Sequence, residues 1–202
     1  MMADHRNEHL NELVQRITSI TTRLVPDYEG IELRFINQET NSSMSRPSLD
    51  TINNIMRSLP FRGWTETSTN LKRKVLDEVV YTPLRNGAFK RPVLIFIITD
   101  GHPEGPAERD HTLKGVILEC GEILREYKYD PKGKFSLLFF LLLTFHPVVR
   151  FQISQIGSDE QAENFLTSLD SDPTLRNVLY CTAGKSAHFA KEVCRLQCSN
   201  EY

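Results

Sequence analysis

Cysteine is scarce in this 202-residue chain. The four residues, Cys120, Cys181, Cys194 and Cys198, are too few and too scattered for a disulfide-stapled scaffold. No C-x-x-C pair occurs, so a structural zinc site has no ligand spacing to rest on. An excess of one charge is missing too: 24 Lys and Arg stand against 26 Asp and Glu, a formal net charge of −2. That excludes a strongly basic nucleic-acid binder and a polyacidic tail as the main theme. The longest uncharged run, residues 135–149, has 15 residues and contains His146 and Pro147. A helical membrane span needs about 18 to 20. The polar opening MMADHRNEHLNEL lacks the apolar stretch of a signal peptide. The expectation is a cytoplasmic chain with no nucleic-acid partner and no membrane anchor.

What is present is the ordinary material of one compact domain, taken as residues 1–202, with 40% hydrophobic and 25% charged residues. Helical and strand periods alternate. Leu10, Leu13, Val14, Ile17, Thr21 and Leu24 line one face of a helix stopped by Pro26. IELRFI (31–36) alternates as a half-buried strand. Leu49, Ile52, Ile55, Met56 and Leu59 make a second helix with Pro47 at its first position. A third, from about Thr69, turns Leu71, Val75 and Val79 inward and ends before Pro83. VLIFII (93–98) is continuously apolar, as a central parallel strand buried on both faces would be. Leu113, Val116, Ile117, Cys120, Leu124 and Tyr127 form the next helix, and residues 148–156 return to a period of two. Ser158 and Gln161 read as a capping box before Phe165, Leu166 and Leu169. VLYC (178–181) is a last strand, and Ser186 opens a closing helix. The order implies an α/β fold: a mostly parallel sheet with helices on both faces and its ligand site at the carboxyl ends of the strands.

The loop after the apolar strand reads Thr99-Asp100-Gly101-His102-Pro103. A carboxylate there, followed by a glycine that allows a tight turn, can ligate a divalent cation, or it can simply close the strand as an Asp-Gly turn. Thr69, in GWTETSTNL (63–71), is either a helix N-cap or a hydroxyl facing a metal held by Asp100. GWTETSTNLKRKVLDEVVYTPL, RPVLIFIITDGHPEG and FQISQIGSDEQAENFLTSLD, in that order, resemble a von Willebrand factor A (vWA) domain of the stand-alone intracellular type, from the first helix to about Ala183. The resemblance implies a Rossmann-like, doubly wound fold and a metal-ion-dependent adhesion site. That site takes Asp-x-Ser-x-Ser from the first strand, a loop threonine and a later aspartate. Thr69 matches the threonine and Asp100 the aspartate; Asp-x-Ser-x-Ser has no match, and the first strand that would carry it is missing. Asn41-Ser42-Ser43-Met44-Ser45 has similar spacing but follows the 31–36 strand, as a solvated loop would. The cofactor implied is Mg2+ or another divalent cation, and the partner a protein offering an acidic side chain. His102 and Glu104 would line the rim.

The other motifs favour simpler readings. Ala183-Gly184-Lys185-Ser186 ends like a phosphate loop, but Leu179 stands where the upstream glycine is required. His102 and His111 have no nucleophile to serve and read as loop histidines. Cys194 and Cys198 lack a further ligand, and Lys72-Arg73-Lys74 reads as a solvated helix face. The apolar stretch 135–147 interrupts an otherwise ordinary helix–loop–strand passage. It is a retained intron or misjoined exon, an added strand or short buried helix, or a segment that binds a membrane surface or partner. The function expected is a non-enzymatic protein-binding module. The alternatives are a small α/β hydrolase or nucleotide-handling enzyme using Asp100, or an inactive vWA fragment from a truncated gene model.

Overall fold

The structure is a computed structural model, and it describes residues 14, 31–39, 44–45, 47–58, 63–89, 92–109, 111–128 and 149–182. The rest of the expected first helix, Asn41–Ser43, the stretch 135–147, and the closing helix with Cys194 and Cys198 lie outside the described residues. The chain divides into two compact units: Met1–Gly63 with Ile156–Ser158 and Gly184–Tyr202, and Trp64–Gln155 with Asp159–Ala183.

In the first unit, helix α1 spans Leu49–Ser58. Its N-cap is Ser48, whose hydroxyl accepts from Thr51 N at 3.2 Å while its carbonyl accepts from Ile52 N at 2.9 Å. Pro47 therefore stands one residue outside the cap and not at the first helical position. Residues 31–36 form no regular strand. They make isolated antiparallel bridges, Glu32 to Ser45 and Phe35 to Gln38, the second closing a tight turn. Val14, Met44 and Ile52 are buried here.

The second unit holds a three-stranded parallel sheet in the order β1-β2-β3: Val93–Thr99, Val149–Gln155 and Leu179–Thr182. Helix α3, Leu113–Lys128, lies in sequence between β1 and β2, and helix α4, Glu160–Asp170, between β2 and β3. A parallel pair needs such a crossover, since a short hairpin cannot reverse the chain twice. Within the described sheet β2 is the middle strand and β1 an edge. Leu94 on β1 is 48% exposed, whereas β2 is buried on both faces. The period of two in β2 thus hides a second buried face, with Gln152 and Ser154 at the positions that alternation marks as outward. The cap of α4 is Asp159, which accepts from Ala162 N at 2.7 Å, and not Ser158.

Helix α2 precedes the sheet. It starts as α-helix at Thr67–Asn70, widens to π-helix over Leu71–Tyr81 and ends with an α turn at Thr82–Arg85. Hydrogen bonds from residue i to i+5 bring side chains four and five apart onto one line. Leu71, Leu76, Val80 and Leu84 follow that spacing and are buried, while Val75 and Val79 are only half-buried. The helix runs on past Pro83, which stands in the first turn of the closing α segment, where its missing N–H costs little. Pro83's carbonyl is taken up by Ala88 N at 2.8 Å and Phe89 N at 3.2 Å. The core joins these α2 residues to Ile95, Val116, Ile117, Cys120, Phe151, Ile153, Leu166 and Leu179. At its margins Lys72 pairs with Glu119 at 2.8 Å, and Lys114 pairs with Asp172. Lys114 and Thr174 together hold the Asp172 carboxyl down to about 2.

Candidate functional site

Asp100 leaves the sheet directly after β1. The preceding Thr99 fixes that exit: its hydroxyl donates to Gly101 O at 2.7 Å and accepts from Gly101 N at 3.3 Å. Asp100 is half-buried at this turn. The loop then runs to a 3-10 turn at Pro106–Arg109 and clasps the start of α2.

The clasp has a definite chemical cause. The first N–H groups of a helix have no partners within it, and the residue at the N-cap of α2, Glu66, makes no side-chain cap. Glu108 does so from the loop. Its carboxylate accepts from Ser68 N at 2.7 Å, from Thr69 N at 3.2 Å and from the Ser68 hydroxyl. Negative charge there also complements the positive end of the helix. Thr65 O accepts from Glu104 N at 3.0 Å, and Glu66 Oε1 accepts from Ala107 N at 3.2 Å. Gly105, at φ +133°, lets the loop come this close. A Cβ there would stand 2.7 Å from Glu66 Cγ and 2.9 Å from Trp64 Cβ.

Thr69 is the third residue of α2, past the N-cap, and its hydroxyl donates to Ala107 O at 2.9 Å. It ties helix to loop, and its oxygen keeps lone pairs for a further contact. Thr65 was not singled out from the sequence, yet its hydroxyl oxygen lies 3.9 Å from where a Cβ on Gly101 would be. It thus stands beside the Asp100-Gly101 turn, whereas the contacts of Thr69 are with Ala107 and Glu108. The signal that could have found it is the Thr-x-Thr-x-Thr spacing of Thr65, Thr67 and Thr69, which offers three hydroxyls where one was considered. His102 and His111 are half-buried and Glu104 is exposed.

The remaining candidates are dispersed. Met44 is buried with its carbonyl accepting from Leu33 N at 2.8 Å, and Ser45 is exposed. Lys72-Arg73-Lys74 is not a uniformly solvated face: Lys72 is paired and Lys74 is buried. Burial pushes the Cys120 thiol up to about 11 and the Cys181 thiol up to about 12, so neither is a thiolate nucleophile at neutral pH.

The carboxyl ends of all three strands turn polar together. Thr99 ends β1, Ser154 and Gln155 end β2, and Thr182 ends β3. The Ser154 and Thr182 hydroxyls bond each other at 2.8 Å. Gln155 pairs in register with Thr99, and its Nε2 donates to Asp159 O at 2.8 Å. Carboxylate and hydroxyl oxygens such as those of Asp100 and Thr65 suit a hard divalent cation better than zinc. Among the described residues no three His, Cys, Asp or Glu side chains gather as a metal-holding group. No described helix is long and apolar enough to cross a membrane. No family model, curated protein or solved structure matches this chain.

Proposed function

We propose that this chain is a non-enzymatic protein-binding module of the vWA type, with a Rossmann-like, doubly wound fold and its partner-binding face at the carboxyl ends of the strands. The observation that carries this reading is the Asp100-Gly101 turn. It projects from the end of a parallel strand and is held against the threonine-rich start of α2. In open α/β sheets ligands bind at this end. A divalent cation such as Mg2+ would take the Asp100 carboxylate and a threonine hydroxyl, Thr65 or Thr69. Water and an acidic side chain of the partner would fill the other positions. The cation would supply the charge that attracts that acid. The chain's own part is to keep the loop in place before binding, which the Glu108, Glu104 and Ala107 bonds to α2 do. A preformed loop loses less freedom on binding.

The test is the melting temperature of the full chain in MnCl2, in MgCl2 and in chelator, for the wild type and Asp100→Asn. Metal at 100 times its dissociation constant stabilises by about 2.7 kcal/mol, so the expected result is a clear upward shift that Asp100→Asn abolishes. An unchanged wild-type transition would remove the metal from the reading. Turnover of a generic phosphate ester that disappears in Asp100→Asn would replace the binding module with an enzyme.

A further inference from the structure

Trp64 is the single tryptophan of the chain, and it is 57% exposed. Tryptophans are highly buried on average, so an indole left in water asks what covers it. Its place is set by the loop that leaves the carboxyl end of β1. A Cβ on Gly105 would stand 2.9 Å from Trp64 Cβ and 2.9 Å from Glu66 Oε1, so those two atoms are no more than twice that distance apart. Glu66 Oε1 is itself held by Ala107 N at 3.2 Å. The residue after Trp64 is tied to the same loop, since Thr65 O accepts from Glu104 N at 3.0 Å. Trp64 thus stands on the rim of the strand-end face, against a braced loop.

The charge of these segments is mostly of one sign. Over residues 64–69 and 99–109 the carboxylates of Glu66, Asp100, Glu104 and Glu108 stand against the guanidinium of Arg109. Glu104 is exposed and enters no ion pair among the described residues. Leu94, the other large apolar side chain left exposed among the described residues, is the second residue of β1, at the far end of that strand. It does not extend the indole into an apolar patch. An apolar partner would therefore gain one ring and would have to strip water from carboxylates to cover it. A guanidinium avoids that cost. It stacks on the indole face as a cation, and its planar fork of N–H groups reaches carboxylate oxygens.

We propose that Trp64 is a docking point for an arginine of the protein partner, whose guanidinium stacks on the indole beside the Glu66 carboxylate. The contact needs no metal and shares with the reading above only the face on which the partner sits. Tryptophan and arginine are the residues enriched where a few contacts carry most of the binding, and such contacts tend to pair across an interface. A tryptophan is suited to the role because it offers a large rigid ring at low cost in conformational freedom. The bonds from the loop to Thr65 and Glu66 hold the backbone beneath it in place.

The experiment is fluorescence anisotropy of a fluorescein-labelled hexaarginine amide titrated with the full chain in EDTA, for the wild type and Trp64→Leu. Unlabelled hexaarginine and hexalysine amides serve as competitors of equal charge. Trp64→Leu keeps an apolar side chain but loses the π face, and is expected to bind about 5-fold more weakly. Hexalysine should compete less well than hexaarginine. As the single tryptophan, Trp64 also reports directly, and its emission should change saturably as hexaarginine is added. No saturable binding, or equal binding by the wild type and Trp64→Leu, overturns the proposal, since the peptide then reads only surface charge. If Trp64→Leu does not fold, the wild type decides: equal competition by the two peptides, or unchanged emission at saturation, overturns it. A wild-type dimer that Trp64→Leu dissolves in sedimentation would give the indole to a second copy of the chain and overturn it too. With EDTA present throughout, none of these outcomes touches the metal reading, which the melting temperatures test separately.

Discussion

Glu108 caps α2 across forty positions of sequence, and its value follows from what it touches. Ser68 is fully buried, so its N–H and hydroxyl have no water to turn to when the carboxylate is removed. Losing a helix cap costs about 0.5–2 kcal/mol. Leaving buried donors unsatisfied costs about 1–3 kcal/mol more where they cannot relax. Glu108→Ala is therefore expected to destabilise the protein by about 2 kcal/mol or more. Glu108→Gln keeps an acceptor oxygen but gives up the charge at the positive end of the helix. Its expected loss is about 1 kcal/mol. Urea unfolding at unchanged m separates the two. An alanine variant as stable as the wild type would mean that Ser68 finds another acceptor and that the clasp does not depend on Glu108.

At the scale of elements, α2 shows where sequence periodicity stops being a guide. The face of α3 was legible, since Leu113, Val116, Ile117 and Cys120 are all buried, as a 3.6-residue period requires. The same period applied to α2 selects Leu71, Val75 and Val79. The π winding instead buries Leu71, Leu76 and Val80, because the five-residue step from Leu71 to Leu76 falls on one line only when the turn is wider. Leu76→Ala is expected to cost about 2–5 kcal/mol, as for a leucine with no exposed surface. Val79→Ala should cost no more than about 1 kcal/mol. The reverse order in urea titrations would return α2 to ordinary α winding. The candidate site was legible to a similar depth. Thr-Asp-Gly after an apolar run marked the turn at Asp100. The partners that brace it did not show, because Thr65, Ser68 and Thr69 meet residues roughly forty positions away. The place of β1 at the edge of the described sheet was hidden for another reason: a continuous apolar run looks the same at the edge of a sheet as at its centre.

The whole molecule joins these scales through the sheet. β2 is hydrogen-bonded to β1 on one side and β3 on the other, and its side chains are buried on both faces. Its amides should open only with the second unit as a whole, whereas the amides of a strand at the end of a sheet can exchange through local fraying. Native-state hydrogen exchange read by mass spectrometry is therefore expected to leave peptides covering Val149–Gln155 protected longest. Peptides covering Leu179–Thr182, whose strand is shorter and pairs over four residues, should be protected less. β1 is the informative case. With β2 as its sole neighbour it would exchange ahead of β2, since Leu94 is exposed and one side of the strand lies away from the described sheet. Protection of Val93–Thr99 equal to that of Val149–Gln155 would require a further strand beside β1. Asp100 would then stand at the end of an interior strand, where open α/β sheets place their ligands.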